Sequence, residues 1–214
     1  MSSEASFSTS TPVFGIVGGI GSGKSAVASG LADFLRAGVI DADQIGHEVL
    51  TFPQIKTQIS QVFGPSVFVS GELHSEIDRR ELAKRVFGAE THHKESLSQL
   101  EAIVHPEIRR QMQTQIRQAQ TEHDVVLVDA AVMLEAGWDD LCDELVFVDV
   151  PFETRLARVV ENRGWDEAEL RGREASQLPL EKKKQASKFV VDNSRNLNDS
   201  VTQLRQIVHS LTKS

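Results

Sequence analysis

Apolar residues along this chain follow two patterns. Short continuous runs, Val13–Val17, Val125–Val128 and Leu145–Val150, have the length and β-branched content of strands covered on both faces, as in a parallel sheet. Val39-Ile40 and Val190-Val191 predict two shorter strands. Elsewhere apolar residues recur at three- and four-residue steps, which predicts helices. The first runs from Lys24 to Leu35, with Gly38 closing it. Ile45, Val49, Ile55, Ile59, Val62 and Phe63 mark a buried helical face that Gly64-Pro65 breaks, and Val67-Phe68-Val69 with Ser70-Gly71 is an extended piece and turn. A helix from Asp78 carries Leu82, Val86 and Phe87. Leu97, Leu100, Ile103 and Val104 form another face; His105-Pro106 follows, then a polar, glutamine-rich helix from Glu107 to Gln120 expected to face mostly solvent. Residues 152–188 are helical and basic, punctuated by Gly164 and Pro179. Leu197–Leu211 closes the chain with Val201, Leu204, Val208 and Leu211 on one face. Five strands alternating with helices predict an α/β fold with a five-stranded parallel sheet, and no repeat of 20–50 residues interrupts it.

The junction between the first strand and first helix carries the chemistry. Gly18-Gly19-Ile20-Gly21-Ser22-Gly23-Lys24-Ser25 satisfies G-x-x-x-x-G-K-[ST], between a predicted strand and a predicted helix as a phosphate-binding loop requires. Glycines allow a tight turn that aims several N–H groups at one anion, and the helix N-terminus adds partial positive charge. Lys24 is placed to reach the outer phosphates of a nucleoside triphosphate, and the Ser25 hydroxyl to ligate its Mg²⁺.

Carboxylates sit at the ends of the second and third predicted strands. Asp41-Ala42-Asp43 follows the second strand, at the sheet edge where ligands bind in open α/β folds. For Asp43, capping the next helix and acting in chemistry both remain open. Asp129 ends the third strand and resembles the acid that meets Mg²⁺ directly or through water. Glu135, in Met133-Leu134-Glu135-Ala136-Gly137-Trp138, faces either substrate or solvent. Asp78 is placed to cap a helix opened by Arg79-Arg80, arginines that meet an anionic substrate or simply solvent. In the basic segment, Arg155, Arg158, Arg163, Arg171 and Arg173 precede Lys182-Lys183-Lys184 and Lys188; a mobile helical cover would use Arg163 and Arg173 on charge developing at a transferred phosphoryl group, while the lysine triplet is expected to be solvated. His92-His93, adjacent on a helix, point in different directions and do not form a metal pair.

Composition narrows the field. Forty per cent hydrophobic and 25% charged residues in 214 describe one ordinary globular domain with room for an insertion, and a formal net charge of −8 argues against sequence-independent nucleic-acid binding. The single cysteine, Cys142, excludes an intrachain disulfide, suits a reducing cytoplasmic setting and lies among acidic residues that disfavour a thiolate. No apolar run is long enough to span a bilayer, so no membrane partner is expected. The Ser/Thr-rich stretch 1–11 is expected to be a disordered leader.

Taken in order, the loop 18–25, Val39-Ile40-Asp41-Ala42-Asp43, Asp78-Arg79-Arg80-Glu81-Leu82, Leu100-Glu101-Ala102-Ile103-Val104-His105-Pro106, Leu134-Glu135-Ala136-Gly137, Val148-Asp149-Val150-Pro151, Arg173 with Gln177, and Val191-Asp192-Asn193-Ser194 resemble dephospho-coenzyme A kinases. The resemblance covers about residues 13–210. It implies a P-loop kinase core (12–45, 122–151 and 188–210), a helical coenzyme-binding insertion (46–121) and a helical lid (about 152–187). It also implies transfer of the ATP γ-phosphoryl group to the ribose 3′-hydroxyl of dephospho-coenzyme A, the last step of coenzyme A synthesis, by a cytoplasmic monomer or small homo-oligomer. By position, Asp43 resembles the base or hydroxyl-orienting carboxylate, with Lys24, Arg163 and Arg173 on the phosphates. Gly19, Ile20, Gly21, Ser22, Gly23, Lys24, Ser25, Ala26 and Asn193 resemble the ATP site, Ser25 the Mg²⁺ ligand. Asp41, Arg79, His105 and Glu135 fall on positions shaping the dephospho-coenzyme A pocket. The chain departs from the family pattern at three places: Ala26 for a usual Thr, Ala131 for a common proline, and Ser187-Lys188 for Ala-Asp.

The alternative is another small-molecule or nucleoside monophosphate kinase with the same core. A GTPase-type switch fails, because Asp129-Ala130-Ala131-Val132 lacks the D-x-x-G glycine and no Asn-Lys-x-Asp occurs.

Overall fold

The computed structural model describes residues 11–72, 75–88 and 90–212. The leader expectation for 1–10 lies outside them; Thr11 is tied down, its hydroxyl donating to the carbonyls of Gln120 and His123 at 3.0 and 3.1 Å.

Five strands, β1 (Val13–Gly18), β2 (Ala37–Asp41), β3 (Val125–Asp129), β4 (Glu144–Asp149) and β5 (Phe189–Asp192), form one sheet in the order β2-β3-β1-β4-β5. Every pairing is parallel. The three long apolar runs occupy the three central places, where helices cover both faces; the two short strands take the edges. The chain leaves β1 toward one edge and β4 toward the other, so the loop after β1 lies at the topological switch point. Register sets its neighbours: Ile16 pairs with Asp129, which pairs with Asp41.

The helices around this sheet are α1 (Lys24–Ala32), α6 (Phe152–Arg163), α7 (Glu167–Glu174), α8 (Leu180–Ala186) and α9 (Leu197–Thr212). Val27, Ala28 and Leu31 of α1 and Leu204 and Val208 of α9 bury against Phe14, Ile16, Leu127, Val146 and Val148. Helix α1 stops three residues short of expectation, and Gly38 lies inside β2 instead of closing it. A Cβ there would come within 3.1 Å of Ala119 Cβ, so the glycine serves close packing.

A second group of elements comprises α2 (Ala42–Val49), α3 (Pro53–Phe63), α4 (Arg79–Val86) and α5 (Thr91–Glu122). Ile45, Val49, Ile55, Ile59, Val67, Phe68, Leu82 and Val86 are buried, whereas Val62 and Phe87 are exposed. Asp78 caps α4 as expected, accepting from Arg80 N and Glu81 N at 3.0 Å. Pro106 does not divide α5: the helix runs through it for 32 residues. A mid-helix proline frees only the carbonyl four residues back, here that of Ala102, which is exposed and open to water. The glutamine-rich half is also less solvated than expected, because Ile108, Met112 and Ile116 bury one side at four-residue spacing. The backbone divides into two compact units, one holding everything up to Asp41 and from Thr114 onward, the other Ala42–Gln113.

Candidate active site

The loop from Gly18 to Gly23 turns through backbone conformations that side chains resist. Gly21 and Gly23 have φ of 76° and 80°, and a Cβ on Gly21 would sit 2.8 Å from the Arg155 carbonyl oxygen. Ser22 N donates to Gly19 O at 3.1 Å, closing the turn, and α1 begins at Lys24. Lys24 folds over the loop, its Nζ 3.4 Å from the carbonyls of Gly18 and Gly19. The hydroxyl of Ser22 is buried without a hydrogen-bond partner among the described residues.

Ser25 Oγ donates to Asp129 Oδ2 in a short hydrogen bond. Asp129 is buried at the end of β3. This hydroxyl–carboxylate pair, beside a loop of N–H donors, is the oxygen donor set that a Mg²⁺ ion carrying nucleotide phosphates takes. Asp41 ends β2 at the same level of the sheet.

The loop is held by residues whose part the sequence does not announce. Arg155 is almost wholly buried; its Nη1 donates to Ile20 O at 3.2 Å, its Nε to Val150 O at 3.3 Å, and it forms an ion pair with Glu174 of α7. Arg158, three residues on, donates to Ser22 O at 3.3 Å and Asn193 O at 2.8 Å. These arginines take the loop's carbonyls, leaving its N–H groups for an anion. Asn193 is buried, giving its side-chain N–H to Ser22 O at 2.8 Å and accepting from Ser200 Oγ at 2.8 Å. Its amide therefore braces the loop. Composition cannot separate Arg155 and Arg158 from solvated arginines; their i, i+3 spacing on one face of α6 is the only available signal.

Arg163 and Arg173 are exposed and meet on one ring, their guanidinium carbons 4.8 and 4.1 Å from the Trp165 centroid. Arg173 also pairs with Glu169 at 2.9 Å. Glu135 turns away from solvent: its Oε1 accepts from Leu178 N at 2.9 Å and pairs with Lys183 at 2.8 Å. Lys183 is 1% exposed, which overturns the expectation of a solvated lysine triplet. Only the middle lysine turns inward; Lys184 pairs with Asp149 at 2.6 Å.

Asp43, Arg79 and His105 belong to the second unit. Asp43 lies in the first turn of α2, inside the helix. Asp43 and His47 are one helical turn apart on α2, and Nε2 of His47, which the sequence did not single out, is 2.8 Å from Arg79 Nη2 of α4. Arg80 remains exposed. Burial holds the His105 pKa below its ordinary value. Among the described residues no three His, Cys, Asp or Glu side chains cluster to hold a metal. Cys142 is inert as expected, its pKa pushed up to about 12 by burial and then by Asp143, Asp139 and Asp140. No helix among the described residues is long and apolar enough to cross a membrane.

The model of the dephospho-CoA kinase family matches residues 12–199. A dephospho-CoA kinase of Corynebacterium diphtheriae is 40% identical over 85% of this chain and 88% of its own length. One from Bacillus licheniformis is 36% identical over 92% and 96%. A crystal structure of a Thermus thermophilus protein superposes with a TM-score of 0.77 at 30% identity, covering 94% of this chain and 97% of the other. With a phosphate loop completed by Ser25 and Asp129, and a match across nearly the whole described chain, this protein belongs to the dephospho-CoA kinase family.

Proposed function

We propose that this protein transfers the γ-phosphoryl group of ATP to the ribose 3′-hydroxyl of dephospho-coenzyme A, yielding coenzyme A and ADP in the cytosol. The bond from the γ-phosphorus to the β,γ-bridging oxygen breaks and one to the 3′-oxygen forms, while the hydroxyl proton passes to the Asp43 carboxylate. The observation that carries this reading is the Ser25–Asp129 pair beside the phosphate loop in a chain of this family. Ser25 and Asp129 would hold Mg²⁺, directly or through water, and the ion supplies neutralisation of phosphate charge. Backbone N–H groups from Gly19 to Ala26 and the Lys24 ammonium bind the phosphates, with Asn193 bracing the cradle from behind. Arg163 and Arg173, stacked on Trp165, are the cover's charges for the transition state. Asp41, Arg79, His105 and Glu135 are acceptor-binding residues by their positions in the family's motifs, and the helical insertion carries the coenzyme. Such a transfer asks the protein mainly for positioning and charge neutralisation.

Release of ADP, measured in a coupled assay with dephospho-coenzyme A, AMP or shikimate as acceptor, tests this. Dephospho-coenzyme A is expected to support turnover that chelation of Mg²⁺ abolishes, with the other two near background. Preferred turnover of AMP or shikimate would establish the alternative kinase instead.

A further inference from the structure

Lys183 stands apart from the other lysines of the helical segment. It lies on the seven-residue α8, between two exposed lysines, yet is buried. An ammonium group withdrawn from water is costly unless its protons are matched by acceptors. Here the acceptors number three: Ala131 O at 3.0 Å, Gln177 Oε1 at 3.2 Å and Glu135 Oε1 at 2.8 Å. They come from the loop after β3 and from the turn before α8, so the group joins two segments of the same unit.

Its effect on Glu135 is asymmetric. Oε1 takes both the Lys183 ammonium and the Leu178 N–H. Oε2 is buried and has no hydrogen-bond partner among the described residues. A carboxylate clamped through one oxygen has a fixed plane, which fixes where its second oxygen points. A buried acceptor left unmatched costs free energy that an incoming donor recovers. We infer that Lys183 is a positioning residue for the acceptor substrate: it clamps Glu135 Oε1 so that Oε2 receives a hydroxyl or amide hydrogen of dephospho-coenzyme A. This rests on the proposed function and assigns Lys183 a task in acceptor binding, not in ATP binding.

The test is steady-state kinetics with ATP and dephospho-coenzyme A varied separately, on the wild type, Lys183→Met, Lys183→Arg and Glu135→Gln. Lys183→Met is expected to raise the acceptor KM about ten-fold or more while the ATP KM stays within about two-fold. Lys183→Arg, which keeps the cationic donor, recovers part of that loss. Glu135→Gln preserves shape, so it decides the matter should Lys183→Met fail to fold. Its amide oxygen takes the Lys183 clamp and its NH₂ replaces Oε2, offering a donor where an acceptor is needed, so its acceptor KM rises in the same way. Equal rises in both KM values, or an unchanged acceptor KM in Glu135→Gln, overturn the inference alone. No ADP release from the wild type with dephospho-coenzyme A overturns the parent reading and this one with it.

Discussion

Asp43 and His105 show how differently one side chain can matter at the residue scale. Asp43 is assigned to the reacting hydroxyl, and a loose transition state moves its proton late, so the group need only be well placed. Replacing it with Asn keeps the shape and removes the acceptor of that proton. We expect Asp43→Asn to lower kcat by about 100- to 10,000-fold, the usual range for a lost general base, with ATP affinity nearly unchanged in a calorimetric titration. Equal loss of ATP binding by the folded variant would refute the assignment. His105 speaks through stability instead. Burial lowers its folded pKa beneath the ordinary 6.5, so below that pH the unfolded chain binds a proton that the folded chain resists. The stability it contributes is complete above pH 6.5 and is lost as pH falls toward the folded pKa. Urea midpoints should therefore drop on acidification through this window, and His105→Asn should flatten that part of the profile.

At the scale of elements, α6 is the brace of the phosphate loop. One turn of it carries Arg155 and Arg158 against the loop's carbonyls, and Glu174 on α7 answers Arg155. Removing Arg155 strands a partly buried carboxylate and two buried-side carbonyl acceptors at once. Arg155→Met is expected to destabilise the fold by about 3 kcal/mol, read from denaturant midpoints, the cost typical of breaking a buried pair from one side. A loss smaller than about 0.5 kcal/mol would mean that the pair is solvated and carries little. Helix α5 teaches a related lesson. Its proline is tolerated because the carbonyl it frees is wet and because apolar residues beyond it keep the helical period.

For the molecule as a whole, nucleotide binding and folding are linked. ATP with Mg²⁺ at about a hundred times Kd should stabilise the native state by about 2.7 kcal/mol, which for a chain of this size raises Tm by about 5–10 °C. Chelating the metal, or Ser25→Ala, should shrink that shift in differential scanning calorimetry. An undiminished shift would show that Ser25 is not part of the metal site.

The strands, their parallel pairing and the phosphate loop were legible in the chain itself. Continuous apolar runs, turn glycines and the spacing of Gly18, Gly23, Lys24 and Ser25 are local properties set by backbone sterics and strand burial. The family resemblance was legible for the same reason, since its motifs follow one another along the chain. What a lysine or arginine touches is not local. Lys182, Lys183 and Lys184 are alike in sequence, and only packing turns the middle one against Glu135. Nothing in the sequence separates Arg155 and Arg158 from solvated arginines, and α6 lays them against the loop. Asn193, placed at the nucleotide site by resemblance, also gives its amide N–H to Ser22 O, a contact no local pattern announces. Sequence alone determined where an anion can be cradled, because that depends on the backbone conformations available to a few consecutive residues. Tertiary structure decided which charges hold the cradle and which stay in water, because a buried charge persists only where distant parts of the chain bring it matching partners.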